Sequence, residues 1–320
     1  MVIPVLLFLL GLLLLIKGGD WFVDGATGIA HRFHVPELLI GATVVSIGTT
    51  LPEVMVSATS ALGGHGEIAY GNAIGSIICN TALIAALTIA IRPGTIQRKS
   101  LVTPVSFFFL AAAIYAFTAY FSGQFSRSTG CLLLAIFVIY MILTVVQMKK
   151  TPQEKTSDEP EEEIPLGKNI LLLIIGAVLI AVGANLLVDN GTLIAEALGV
   201  PESVIALTFV ALGTSLPELV TAITSLAKGH GSLSLGNVIG ANLFNIVLVS
   251  GTSIVLAPFD IPQSATIAGK NASLVVDIPV MLTVMVILTV PALIRKKLSR
   301  TQGILLLLIY VTYCIFEFTL

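Results

Sequence analysis

A 45-residue segment occurs twice in this chain, and the duplication limits the folds that the sequence can adopt. Residues 36–80 align with residues 201–245 at a constant offset of 165 residues, without a gap, and 20 of the 45 positions are identical. Weaker matches continue upstream, where Gly18 meets Gly183 and Asp24 meets Asp189. The chain therefore consists of two related halves, and a feature in one half has a counterpart in the other.

Both halves are strongly apolar. The chain is 56% hydrophobic and 11% charged, with a mean hydropathy of +1.02, which excludes an ordinary water-soluble globule. An apolar run of about 17 to 25 residues is long enough to cross a bilayer as a helix. Ten such spans are predicted, near residues 2–31, 36–63, 71–91, 100–122, 128–148, 167–197, 201–228, 235–257, 273–294 and 302–319.

The repeat and the span count together predict an inverted architecture. Each half holds five spans, and because five is odd the second half enters the membrane in the opposite direction. We therefore expect an all-α integral membrane protein with a first repeat at 1–148, an acidic linker at 149–166 and a second repeat at 167–320. Transporters with inverted repeats bind their substrate near the midplane, on interrupted helices where the repeats meet.

The distribution of basic residues predicts the orientation. Of the 16 Lys and Arg residues, thirteen fall in loops on one side, the exceptions being Lys17, Arg127 and Lys270. Cytoplasmic loops carry the excess of positive charge, so both termini are predicted to lie outside and the acidic linker inside. The predicted location is the cell membrane, with the lipid bilayer as partner. No basic patch for nucleic acid and no sign of a protein partner are found.

The best-matched part of the duplication is a Gly-Thr-Thr/Ser-Leu-Pro-Glu motif that ends at Glu53 in one half and at Glu218 in the other. A proline within a helix leaves the carbonyl four residues earlier without its donor, so Gly48 and Gly213 are expected to have free carbonyls. Hydroxyls three and four residues before each Glu share a helix face with it. Carboxylate, hydroxyl and carbonyl oxygens are ligands for hard cations. Placing a Glu carboxylate within the membrane costs free energy, so we interpret these glutamates as ion ligands and not as helix caps.

A second motif follows in each half and ends at Asn80 and Asn245. These two asparagines are predicted to coordinate an ion, because they lie beside the Glu motif in symmetric positions. Asn72 and Asn237, at the start of the motif, are instead expected to hydrogen-bond between packed helices.

Other polar residues have simpler explanations. Glu37 and Glu202 follow prolines at helix starts, where a carboxylate complements the helix dipole. His65 and His230 are expected in turns on opposite membrane faces. Helix-end capping or snorkelling is predicted for Asp20, Asp24 and Asp189.

On both motifs the chain resembles the cation/calcium exchanger superfamily, most closely its prokaryotic sodium/calcium exchangers. The resemblance implies a site built by the second, third, seventh and eighth helices, with the first and sixth helices sliding over the rest. It also implies carbonyl ligands at Ser46 and Ala211. The side-chain ligands that it implies are Thr49, Thr50, Glu53, Ser76, Asn80, Thr214, Ser215, Glu218 and Asn245.

Three residues depart from the family pattern. Thr50 replaces a serine and keeps its hydroxyl, whereas Ala241 replaces a serine and cannot coordinate, so one sodium position in the second half lacks this ligand. Asn245 stands where the potassium-dependent branch and some prokaryotic members carry Asp. This argues against potassium dependence and leaves two formal negative charges in the site.

The expected function is therefore sodium/calcium antiport by alternating access, without any cofactor beyond the transported ions. A calcium/proton antiporter of the same superfamily is the alternative, and a passive cation channel is a more distant one. No nucleophile and base pair, metal cluster or phosphate loop indicates an enzyme.

Overall fold

The fold is described from a computed structural model, which covers residues 2–150, 165–198, 213–263 and 266–317. Within these residues the chain is almost entirely helical. The helices are α1 Val2–Arg32, α2 Glu37–Leu62, α3 Gly66–Ile91, α4 Arg98–Phe121, α5 Arg127–Lys150, α6 Leu166–Ala197, α7 Leu216–Ala227, α8 Gly231–Leu256, α9 Ser273–Arg295 and α10 Arg300–Glu317.

Nine of these helices are long and apolar enough to cross a membrane, and α7 is shorter within the described residues. The predicted seventh span began at residue 201, and its part before residue 213 lies outside the described residues. The third span starts at Gly66, five residues before the predicted start at 71. The all-α membrane fold is thus confirmed.

Several helices contain short π-helical segments. One occupies Gly41–Val45 in α2, and two others, Asn80–Ala85 in α3 and Asn245–Ser250 in α8, are separated by the repeat offset of 165 residues. A fourth opens α9 at Ser273–Asp277. Single π turns inside α-helices are frequent at functional sites. The interruptions expected from the repeat therefore appear mostly as π turns, since α2 continues through Pro52 without a break.

Loop contacts define two faces of the bundle. The basic face comprises the loops 33–36, 92–97, 228–230 and 296–299, where Thr95 pairs with Lys297 and Lys228 contacts Asp24 at 2.6 Å. On the opposite face, strand β1 Gln124–Phe125 pairs antiparallel with β2 Phe259–Asp260, and β3 Thr266–Ile267 pairs with β4 Lys270–Asn271. These short strands were not predicted. Loops alternate between the faces as the inverted topology requires.

The position of each helix follows from its burial. The most apolar window of α8 is 83% buried, whereas those of α1 and α6 are 22% buried, so α8 is central and the other two are peripheral. Helices α1 and α6 pack along their length through glycines. A Cβ atom at Gly183 would lie 2.8 Å from the carbonyl oxygen of Gly11, and one at Gly25 would lie 2.6 Å from that of Asn169. The two backbones therefore touch with no side chain between them.

Candidate functional site

Two glutamates lie in the centre of the bundle, one from each half. Glu53 on α2 and Glu218 on α7 both have 0% of their surface exposed. Neither oxygen of either carboxylate has a hydrogen-bond partner among the described residues. The two helices pack against each other, and the carboxylates are close enough to interact electrostatically. Buried charged groups need a partner, so the ionised form of this pair needs positive charge that the described residues do not supply.

The same proline is used differently in the two halves. Pro52 lies inside α2, where its missing N–H leaves the carbonyl of Gly48 without its helical donor. Pro217 lies in the first turn of α7, where a missing N–H leaves no carbonyl unpaired. Before it, residues 213–215 form a turn in which the Leu216 N–H lies 3.4 Å from the Gly213 carbonyl. The carbonyl of Gly213 is therefore not free, contrary to what the motif predicted.

Hydroxyl groups surround the carboxylates. The hydroxyls of Thr50 and Ser215 are buried and have no hydrogen-bond partner within the described part of the chain. Thr49 and Thr50 lie near the Glu218 carboxylate, although neither makes a hydrogen bond of standard geometry with it. Thr214 is half-buried at the turn before α7. The hydroxyl pair of the first half thus faces the carboxylate of the second half.

Asn80 and Asn245 lie in equivalent places, each at the first position of a π-helical segment. Both are fully buried. Neither amide atom of Asn80 has a partner in the described ranges, whereas the amide nitrogen of Asn245 donates to the Ala241 carbonyl at 3.1 Å and leaves its oxygen unpaired. Amide oxygens in this state can bind a hard cation.

Asn237 joins the two halves at the edge of this centre. Its side-chain oxygen accepts from the Thr49 hydroxyl at 3.2 Å, and its backbone carbonyl accepts from the Ser46 hydroxyl at 3.0 Å. Asn72, its counterpart, donates to the Ser57 hydroxyl at 2.8 Å and to the Glu53 carbonyl at 3.3 Å. Hydrogen bonding between packed helices is what the sequence predicted for both residues.

The structure brings most of the predicted site residues onto four mutually packed helices, α2, α3, α7 and α8. Ser76, 5% exposed, precedes Asn80 by one turn, and the Ser46 carbonyl lies 3.5 Å from the Thr49 hydroxyl. Ala241 is buried and has no side-chain oxygen at the place equivalent to Ser76. Ala211 lies outside the described residues.

A polar cluster beside the site was not predicted. The amide of Asn242 donates to the Thr81 hydroxyl at 2.7 Å and contacts the sulfur of Met285 at 3.2 Å. Buried hydroxyls of Thr221 and Ser225 also lack partners among the described residues, on the helix that carries Glu218. The sequence contained a signal for Thr221, which follows Glu218 by three residues and so shares its helix face. It contained none for Asn242, because the equivalent residue in the first half is the apolar Ile77.

The chemistry of this centre is that of hard oxygen ligands. Two buried carboxylates, several buried hydroxyls and two buried amide oxygens lie on the four packed helices, and no group of three or more His, Cys, Asp or Glu residues occurs within the described ranges. Such a set suits alkali and alkaline-earth cations better than transition metals. The total of two formal charges can be balanced by one divalent or two monovalent cations.

Comparisons with known proteins give a consistent result. A family model described as sodium/calcium exchanger protein matches residues 3–146 and 168–319. A sodium/calcium exchanger of Methanosarcina acetivorans is 29% identical over 352 residues, covering 98% of each chain. The inner membrane protein YrbG of Escherichia coli is 36% identical over 285 residues, covering 87% of each chain. A solved sodium-calcium exchanger, soaked with 2.5 mM Na+ and 10 mM Sr2+, is 36% identical over 97% of each chain, with a TM-score of 0.81.

Proposed function

This chain belongs to the sodium/calcium exchanger protein family, a family of membrane transporters and not of enzymes, and we propose from that membership that it exchanges calcium for sodium at one central site. The observation that carries the proposal is the pair of fully buried carboxylates, Glu53 and Glu218, whose four oxygens have no donor among the described residues. A cation is the partner that such a pair needs in a membrane.

The proposed ligands come from both halves. The carboxylates of Glu53 and Glu218 bind the divalent ion, and the neighbouring hydroxyl, amide and carbonyl oxygens complete its shell and the sodium positions. The proposed set is Ser46, Thr49, Thr50, Glu53, Ser76, Asn80, Ala211, Thr214, Ser215, Glu218 and Asn245. Ala241 supplies no side-chain oxygen, so the second half offers one ligand fewer than the first.

Charge balance accounts for the coupling of the two ions. One calcium or two sodium ions neutralise the two carboxylates, so either load makes the site electrically tolerable for crossing. The empty site keeps two buried negative charges, which opposes its crossing and enforces exchange. A third sodium, bound by neutral oxygens, makes each cycle electrogenic. Asn245 adds no further charge for potassium to balance, so transport is independent of potassium.

The multi-pass membrane fold also supports a proposed placement and motion. The inverted repeats span 1–148 and 167–320, joined by the acidic linker 149–166 on the cytoplasmic side of the cell membrane, with both termini outside. The peripheral helices α1 and α6, in contact through their glycines, move together over the other eight to expose the site alternately.

The decisive experiment is uptake of radioactive calcium into proteoliposomes that contain the purified full chain. Vesicles are loaded with sodium, potassium, choline or acid, and the external medium is identical in each case. We expect uptake only with an outward sodium gradient, unchanged when external potassium is removed. Uptake driven by the acid load would show a calcium/proton antiporter instead, and uptake without any gradient would show a channel.

A further inference from the structure

A pocket with polar and apolar walls opens on the basic face, away from the central carboxylates. It has a volume of about 200 Å³ and lies between the end of α3, the loop that follows it and the start of α8. Arg92, Thr95, Gly231, Ser232 and Ser234 are among the residues that line it. Because α3 ends here and α8 begins here, the pocket lies at the level of the membrane interface.

The first turn of α8 begins at this pocket, with Gly231 and Ser232 in its lining. The N-cap residue His230 makes no side-chain capping bond, and no acidic residue occurs in the first turn. The first helical bond is the one from the Ser234 N–H to the His230 carbonyl, at 3.2 Å. The N–H groups of residues 231–233 therefore have no acceptor within the helix. Such a terminus, with its positive helix dipole, favours an anion.

Ser234 adds a donor on the inner wall. The residue is 2% exposed, and its hydroxyl has no hydrogen-bond partner among the described residues. A buried hydroxyl without a partner is costly, and its position in the pocket lining lets it donate to a bound acceptor.

The equivalent helix start in the other half has different surroundings. Ser232 and Ser234 correspond to Glu67 and Ala69, so the first turn of α3 carries a carboxylate where α8 carries a hydroxyl. Phe259 lies against Gly66 so closely that a Cβ atom there would clash with its ring, whereas no heavy atom lies within 4 Å of a Cβ placed at Gly231. The first turn of α8 thus has neither a carboxylate of its own nor a covering ring, and the Glu37 carboxylate contacts the preceding N-cap residue, His230, at 2.8 Å.

Arg92 provides the charge at the rim. One of its guanidinium nitrogens lies 3.4 Å from the Leu226 carbonyl, and no acidic group lies within 4.0 Å of it among the described residues. The neighbouring loop, paired with this one through Thr95 and Lys297, adds further positive charge. Lys228 is engaged elsewhere, with Asp20 and Asp24 of α1.

We propose that this pocket binds a phosphate-type anion, supplied by the headgroup of an anionic lipid or by free phosphate. The N–H groups of α8 and the hydroxyls of Ser232 and Ser234 donate to its oxygens, and Arg92 balances its charge. Basic pockets between transmembrane helices at the cytoplasmic side are typical sites for anionic headgroups.

Binding of free phosphate is tested by calorimetric titration of the detergent-purified full chain with inorganic phosphate. The ionic strength is kept constant, and calcium is left out because it would precipitate the phosphate. The variants are Arg92→Gln, which removes the charge, and Ser232→Glu, which installs the carboxylate that the first half carries. Arg127→Gln is the matched control, since Arg127 also donates to a helix-end carbonyl, that of Val255 at 3.2 Å, on the opposite face.

Lipid binding is tested by native mass spectrometry of the same proteins titrated with phosphatidylglycerol, with phosphatidylcholine as the uncharged comparison. The proposal is supported by saturable binding in either arm, and the arm that shows it identifies the source of the anion. This binding should weaken by roughly tenfold or more in Arg92→Gln and Ser232→Glu, but not in Arg127→Gln. Ser234→Ala should weaken it to a lesser degree. No saturable binding in either arm, or equal binding by all variants, overturns it.

Discussion

Thr49 and Asn237 join the two halves of the molecule through a 3.2 Å hydrogen bond from the threonine hydroxyl to the asparagine side-chain oxygen. Because the bond is buried beside the central carboxylates, replacing Thr49 by Val should destabilise the chain by about 1 kcal/mol and lower calcium uptake. Thermal unfolding in detergent measures the first effect. Thr59→Val is the control, since that exposed hydroxyl bonds only to its own helix. Equal stability losses in both variants would contradict the prediction.

Neutralising either central carboxylate should abolish exchange. Glu53→Gln or Glu218→Gln leaves one formal charge, which no longer balances a calcium ion, while the amide keeps the shape of the side chain. We expect sodium-driven calcium uptake at background level and a protein that still elutes as a folded species in gel filtration. Glu67→Gln, at an exposed position on the opposite face, should retain uptake. Normal transport by either central variant would remove that residue from the site.

The glycine contact between α1 and α6 should be sensitive to a single methyl group. A Cβ atom at Gly25 would lie 2.6 Å from the backbone of α6 at Asn169 and Leu173. Gly25→Ala should therefore force the helices apart, lower stability by about 1–3 kcal/mol and slow exchange. Gly167→Ala on α6 is the control, because nothing lies within 4 Å of a Cβ there. An unchanged unfolding temperature for Gly25→Ala would show that the helices do not touch at this point.

His230 should make stability depend on pH. Its Nδ1 lies 2.8 Å from the Glu37 carboxylate, and this hydrogen bond raises the pKa of the imidazole. Because the folded-state pKa exceeds the unfolded value of about 6.5, the contact stabilises fully below that pH, and the stabilisation is lost as the pH rises through the raised pKa. The stability difference between wild type and His230→Gln should therefore be larger near about pH 6 than near about pH 9. It is read from unfolding temperatures at both pH values.

His65 provides the control for this experiment. It lies in the equivalent turn on the opposite face, with no carboxylate within 4.0 Å among the described residues. His65→Gln should show no comparable trend with pH. A difference for His230→Gln that stays constant across the range would show that the contact does not depend on the imidazolium.

Exchange should respond to membrane potential if three sodium ions move against one calcium. Each net charge that crosses the membrane is worth roughly 2.3 kcal/mol per 100 mV. Calcium uptake into sodium-loaded proteoliposomes should therefore be faster when a potassium and valinomycin clamp makes the potential favour outward movement of positive charge. Equal rates at opposite clamped potentials would show an electroneutral cycle.

Much of the fold could be predicted because hydropathy and the duplication are long-range patterns in the sequence. The apolar spans and their inverted arrangement need no knowledge of packing. The π-helical turns that start at Asn80 and Asn245 leave no such pattern, since they depend on how neighbouring helices pack. For the same reason Asn242 was overlooked, as its partners Thr81 and Met285 come from two other helices.

The central glutamates could be predicted because a carboxylate in an apolar span is energetically costly, and the sequence places one at the same position in each half. The partners of Asn237 and His230 could not be predicted. The repeat offset shows which positions are equivalent, but it does not show which residues of the two halves are in contact. Thr49 contacts Asn237 and not its counterpart Asn72, which requires the relative placement of the halves.

The π turn in α3 rotates one part of a helix against the other. It adds one residue to a turn, which at 3.6 residues per turn corresponds to about 100°. Residues 66–79 face α2 and α8 at the central carboxylates, whereas residues 86–91 pack against α10. One continuous helix can thereby serve an ion site at its middle and a separate surface at its end. Deleting a single residue from Asn80–Ala85 would bring the two parts back into phase and turn Arg92 away from its pocket while leaving the hydropathy of the span unchanged.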